Sequence, residues 1–130
     1  MSLDLFEAAR QAMERCHAPY SQFPVGAALR GDDGKIYNGA NIEVASFPEG
    51  WCAETTAIGH LIMAGARRIT EVAVIAEKKV ACTPCGGCRQ RLAEFADADT
   101  PIHLCDNNGI VRTVTLGELL PLAFDSDALP

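Results

Sequence analysis

From residue 3 to 16, apolar positions recur every three or four residues, placing Leu5, Ala8, Ala9, Ala12, Met13 and Cys16 on one face. That period predicts an amphipathic helix. Ala18-Pro19-Tyr20-Ser21 ends it, because the residue before a proline is pushed out of the helical region. Residues 25–30 and 35–42 read as short strands, with Gly31-Asp32-Asp33-Gly34 as the hairpin turn between them. Phe47-Pro48-Glu49-Gly50 interrupts the pattern. A second helix follows over 52–66, with Ala57, Ile58, Leu61, Ile62 and Gly65 on its buried side. Residues 71–77 form a strand around Val72-Ala73-Val74-Ile75. Pro84 stands where a third helix, 85–95, begins, since proline is tolerated in a first turn. Strands at 101–106 and 110–115 flank the turn Asn107-Asn108-Gly109, and a short helix occupies 116–122. Helices alternating with strands predict an α/β fold in three layers, α/β/α, around a mixed five-stranded sheet whose first two strands pair as a hairpin. No repeat or linker divides the chain, so residues 1–130 are read as one domain.

Composition narrows the class. Of 130 residues, 48% are apolar and 22% charged, which excludes wholesale disorder. The formal net charge of −6 speaks against a nucleic-acid or anionic-membrane partner, since both need a basic face. No apolar run is long enough to span a bilayer, and the acidic start Met1-Ser2-Leu3-Asp4-Leu5-Phe6-Glu7 lacks the pattern of a secretory signal. A cytoplasmic location with reduced thiols is therefore expected. The chain nevertheless has six cysteines, and they cluster rather than spread, which favours metal binding or catalysis over a disulfide framework.

Cys85-Gly86-Gly87-Cys88 is a C-x-x-C pair at a predicted helix start behind Pro84. Alone it reads equally as a redox dithiol. Upstream, Cys52-Ala53-Glu54 opens another predicted helix. Zinc deaminases of nucleobases carry H-x-E followed by P-C-x-x-C, with three cysteines as a variant ligand set. This chain has C-x-E followed by P-C-x-x-C. Taken singly, each cysteine reads as a small buried hydrophobe and Glu54 as a helix-start carboxylate; the joint pattern points to chemistry. Three thiolates would leave a tetrahedral zinc one open position for water. Zinc lowers the pKa of such a water to about 7, making hydroxide available at neutral pH. Glu54 would shuttle the proton to a ring nitrogen and then to the leaving amine.

The stretches Ala18-Pro19-Tyr20-Ser21, Phe23-Pro24-Val25-Gly26-Ala27-Ala28, Gly39-Ala40-Asn41-Ile42-Glu43, Cys52-Ala53-Glu54, Pro84-Cys85-Gly86-Gly87-Cys88-Arg89-Gln90 and Leu119-Leu120-Pro121-Leu122-Ala123-Phe124 together resemble the small, homotetrameric, zinc-dependent cytidine deaminases. The resemblance runs from residue 16 to 124. It implies hydrolytic deamination of free cytidine and deoxycytidine to uridine and deoxyuridine in pyrimidine salvage. It further implies one zinc per subunit on Cys52, Cys85 and Cys88, with Glu54 as the catalytic residue. Substrate contacts are implied for Phe23, Asn41, Glu43, Ala53 and Phe124. Asn41 and Glu43 match the N-x-E that binds the ribose 3′-hydroxyl, Phe23 the aromatic on the pyrimidine ring, and Phe124 the residue reaching a neighbouring subunit's site. Residues two apart on a strand share a face, which suits a common hydroxyl.

Some positions depart from the family. Thr55 replaces the arginine that follows the catalytic Glu and hydrogen-bonds the zinc thiolates; Arg89 is a candidate to take over part of that role. Val44, Phe47 and Pro48 alter a loop at the pocket and subunit contacts, and Trp51 is bulky beside Cys52. Cys82 and Cys85 form a second C-x-x-C register, so Cys82 is an alternative or fourth ligand. Cys16 and Cys105 read as core or near-core thiols, and His17, His60 and His103 as structural or surface residues. Four other readings stay open: a deaminase of another aminopyrimidine nucleoside such as blasticidin S, a structural zinc protein or catalytically weak nucleoside-binding homologue, a redox dithiol protein and, disfavoured by the acidic charge, a polynucleotide deaminase.

Overall fold

The computed structural model describes residues 2–130; Met1 lies outside them. Helix α1 (Ser2–Met13) buries Leu5, Phe6, Ala9, Ala12 and Met13. It stops short of Cys16 because the chain tightens into turn bonds, Arg15 N to Ala12 O and Cys16 N to Met13 O. Cys16 is therefore half-buried beyond the helix rather than part of its packed face. Strands β1 (Val25–Gly31) and β2 (Ile36–Ala40) pair as the antiparallel hairpin that the turn residues predict. Helix α2 (Ala53–Met63) ends at Gly65, whose φ of +97° allows a left-handed cap. The Ala66 N–H bonds Leu61 O and the Gly65 N–H bonds Ile62 O, so the carbonyls left open at the helix end are satisfied. Gly65 thus terminates the helix on the exposed side; it does not pack in the core.

Strand β3 (Ile69–Ala76), helix α3 (Gly86–Phe95), strands β4 (Pro101–Asp106) and β5 (Gly109–Thr115), and helix α4 (Leu116–Leu119) complete the order. The sheet runs β2-β1-β3-β4-β5, with β3 and β4 parallel and the other pairs antiparallel. The mixed five-stranded sheet is as predicted. Alternation along each strand sends neighbouring side chains to opposite faces. Ala28, Ala73, Ile75 and Cys105 meet Leu5, Phe6, Ala9 and Met13 of α1. Leu29, Val72, Val74, Ile102 and Leu104 meet Ala57, Ile58 and Leu61 of α2 and Leu92 of α3. Each large side chain removed from water here contributes about 1.5–3 kcal/mol.

A polar cluster ties α1 to the sheet. The Glu71 carboxylate accepts from Ser2 Oγ (2.9 Å) and Arg30 Nε (3.2 Å) and contacts His103 Nε2 (2.5 Å). His103 Nδ1 in turn faces Thr113 Oγ1 at 2.8 Å, so this histidine is structural. Burial would raise the Glu71 pKa, but the bonds from His103, Ser2 and Arg30 outweigh it and hold the carboxyl below its ordinary range. A lowered carboxyl pKa contributes stability that is present above the unfolded pKa and lost as pH falls through the folded one. Glu71→Gln is expected to cost about 1.5–3 kcal/mol near neutral pH. The deficit should shrink as pH drops below the carboxylate range. Urea unfolding of both proteins across that range reads it; a deficit that grows on acidification would contradict the assignment.

Candidate active site

Helices α2 and α3 begin side by side, each capped by a cysteine. Cys52 and Cys85 take extended backbone angles (φ −80°, ψ 163° and φ −68°, ψ 168°), and neither sulfur bonds its own helix. Both are therefore free to face a common centre. Cys88, in the first turn of α3, is fully buried. Gly39 of β2 sets the position of α2. A Cβ there would lie 2.5 Å from the Ala57 nitrogen and 2.8 Å from the Ala53 carbonyl oxygen, so only glycine lets the helix start lie this close to the sheet.

The sulfurs of Cys52, Cys85 and Cys88 all lie within 4.8 Å of one another, with Cys52 and Cys85 3.5 Å apart. A tetrahedral zinc with bonds of about 2.3 Å sets its sulfurs about 3.8 Å apart, so the donor set fits the ion in spacing and chemistry. Among the described residues the group holds no fourth protein ligand. Cys82 is outside it, with its thiol donating to Thr83 O at 3.7 Å. The open fourth position is the arrangement of a catalytic rather than a structural zinc site. Without metal, a bond from the Cys88 thiol holds Cys52 below the usual thiol range, and the same contact together with burial pushes Cys88 above it.

Glu54, in the first turn of α2, is only 3% exposed. Burial raises its pKa, while the Cys88 thiol and the Arg91 charge oppose the rise. Glu54, Cys52 and Cys85 adjoin a cavity of about 550 Å³, within the range of small-molecule sites. Asn41, Glu43, Cys52, Ala53, Glu54 and Cys85 all line it.

The strand expected to reach Ile42 ends at Ala40. Residues 41–43 are instead held between two other segments. His17 N bonds Asn41 O and Glu43 N bonds His17 O, while Ile42 and Trp51 exchange both backbone bonds. Asn41 Oδ1 accepts from Val25 N at 3.0 Å, and its Nδ2 donates to Phe23 O at 2.9 Å. Glu43 Oε1 accepts from the Tyr20 and Ser21 backbone, both at 3.0 Å, and its Oε2 from Ser21 Oγ. These bonds hold the 20–25 loop, and each side chain still keeps hydrogen-bonding capacity toward the cavity.

Phe23 and Phe124 are not among the residues that line this cavity. Phe23 is half-buried beside it. Phe124 is exposed, with its carbonyl held by Gln90 Nε2 at 2.9 Å. Tyr20, Phe47 and Trp51 also line the cavity, the last two at positions that the sequence places near the pocket. Tyr20 and Phe47 meet edge to face with centroids 5.5 Å apart, and Trp51 Nε1 donates to Thr56 Oγ1 at 2.6 Å. Arg89 does not reach the sulfurs. Its guanidinium bonds Pro84 O, Leu119 O and Thr83 Oγ1, anchoring the segment before Cys85. The cation on the ligand set is Arg91, three residues beyond Cys88, where helical periodicity returns to the same face.

The family model "Cytidine and deoxycytidylate deaminase zinc-binding region" matches residues 2–104. A cytidine deaminase of Halalkalibacterium halodurans is 44% identical over 123 residues, covering 95% of this chain and 93% of that protein. One of Sporosarcina psychrophila is 40% identical over 125 residues, covering 96% and 92%. A crystal structure of cytidine deaminase from Burkholderia pseudomallei superposes with a TM-score of 0.89 at 41% identity, covering 95% of this chain and 99% of that one.

Proposed function

The chain belongs to the cytidine and deoxycytidylate deaminase family, and we propose that it hydrolyses free cytidine and deoxycytidine to uridine and deoxyuridine, releasing ammonia. The observation that carries this reading is the buried Glu54 placed between the three-cysteine group and a nucleoside-sized cavity. Cys52, Cys85 and Cys88 would hold the zinc, which supplies Lewis acidity and lowers the pKa of water at its open position to about 7. Glu54 takes a proton from the attacking water at its carboxylate and delivers it to the pyrimidine ring N3, then carries that water's second proton to the amine, which leaves as ammonia. Its burial keeps bulk water from competing for that proton. Asn41 and Glu43 would grip the ribose 3′-hydroxyl from the 41–43 segment, which serves both sugars because neither loses that group. Ala53 lines the cavity, and Phe23 would pack on the pyrimidine ring.

Residues 1–130 act as one domain in this reading, in the cytoplasm and in pyrimidine salvage. No described helix is long and apolar enough to cross a membrane. A homotetramer with sites at its interfaces is supported by exposed apolar side chains, among them Phe47 at 70%, Met63 at 86% and Phe124 at 62%. In that assembly Phe124 completes a neighbour's site.

A substrate panel tests the reading: cytidine, deoxycytidine, free cytosine, a cytidine nucleotide and blasticidin S, assayed side by side on the zinc-loaded protein. The two nucleosides should be turned over fastest. Preference for blasticidin S, or equal rates with the sugarless base, would contradict the role given to Asn41 and Glu43.

A further inference from the structure

The zinc centre has an electrostatic deficit that this chain meets in its own way. Three thiolates around a dication carry one net negative charge, and the buried Glu54 carboxylate sits beside them. Thiolates so crowded need compensation from outside the ligand set to stay charged and keep the ion. Cys88 is the ligand least able to obtain it from solvent, because its side chain is fully buried.

Beyond Cys52 and Glu54, which the Cys88 thiol already contacts, two more side chains reach its sulfur. Thr55 Oγ1 lies 3.8 Å from Cys88 Sγ, contributing a neutral hydroxyl. Arg91 Nη1 donates to the same sulfur at 3.8 Å, contributing a full charge. Gly87 makes room for that guanidinium. A Cβ on residue 87 would lie 3.1 Å from Arg91 Nη1, so the guanidinium would have to give by a few tenths of an ångström, while its Cζ at 3.7 Å and Nη2 at 3.8 Å would stay in ordinary contact. The second glycine of Cys85-Gly86-Gly87-Cys88 therefore serves as a seat over which Arg91 folds back toward the helix start. Arg89 does not fill this place, because its guanidinium is held away by bonds to Pro84, Leu119 and Thr83.

We propose that Arg91, seated over Gly87, is the positioning cation of the zinc centre, orienting the Cys88 sulfur and favouring retention of the ion. Its one hydrogen bond to the site is to Cys88, and its charge is also felt by Glu54. The inference rests on the zinc reading given above.

The test is zinc affinity, measured by competition with a chromogenic chelator on the full chain. Wild type is compared with Arg91→Gln, Arg91→Lys and Gly87→Ala, each with a parallel thermal melt of the metal-free protein. Loss of an outer-shell partner lowers metal affinity by about 10–100-fold, which is the drop expected for Arg91→Gln. Arg91→Lys keeps the charge and should recover most of the affinity. Gly87→Ala should lose affinity without lowering the metal-free melting temperature, because alanine is the better helix former. That opposition separates a metal-centre role from a packing role. The proposal is overturned if Arg91→Gln binds zinc as tightly as wild type, or if Arg91→Lys falls as far as Arg91→Gln. Full affinity in Gly87→Ala would remove the seat. A wild-type chain that binds no zinc would overturn the zinc reading itself, and this inference with it.

Discussion

Glu54→Gln should lower kcat for cytidine by about 10²–10⁴-fold, the usual contribution of a positioned acid–base group. Zinc content should be unchanged, because Cys52, Cys85 and Cys88 are untouched. Stability should not fall and is expected to rise slightly. The native carboxyl sits only 3% exposed, and burial opposes its charged form, whereas a neutral amide of the same shape escapes that cost. Activity that collapses while the melting temperature holds or rises marks a residue kept for chemistry rather than for folding. Turnover, zinc content and a thermal melt on one preparation read all three. A variant keeping more than a tenth of wild-type kcat would remove Glu54 from the proton path.

The cysteines should separate just as sharply. Cys88→Ala removes one of three ligands from a fully buried position. Zinc affinity should drop by more than about 100-fold, exceeding the cost of losing an outer-shell partner, and deamination should go with it. Cys82→Ala should keep both, although Cys82 also lines the cavity, because its sulfur lies outside the ligand group. Metal analysis after dialysis distinguishes the two. Zinc lost from Cys82→Ala and kept by Cys88→Ala would reverse the register of the C-x-x-C pair.

Much of this was readable along the chain. The β4 bounds, Pro101 and Asp106, match the expectation because a proline and a turn bracket one apolar run. The three cysteines that come together were legible for a related reason. Each of the two helix starts carries its own local signal, Cys52-Ala53-Glu54 in one and Pro84 ahead of the cysteine pair in the other.

What escaped depends on distant partners. Residues 41–43 keep an alternating pattern yet leave β2, because their backbone bonds go to His17 and Trp51. No window of sequence contains those contacts. Gly65 reads as a core position by periodicity, but its positive φ makes it the helix stop. Arg89 looked like the replacement cation because it adjoins Cys88. A residue next in sequence points about 100° away around a helix, while one three places on returns to the same side, so Arg91 takes the contact. The placement of Phe124 is a question between chains, where a single sequence carries no direct signal.

The most direct measurement is zinc content and uridine formation from cytidine on the same purified sample. About one zinc per chain, together with cytidine converted to uridine and one ammonia released per turnover, is expected. A protein that holds its zinc through dialysis and still leaves both cytidine and deoxycytidine unchanged would contradict the proposed activity.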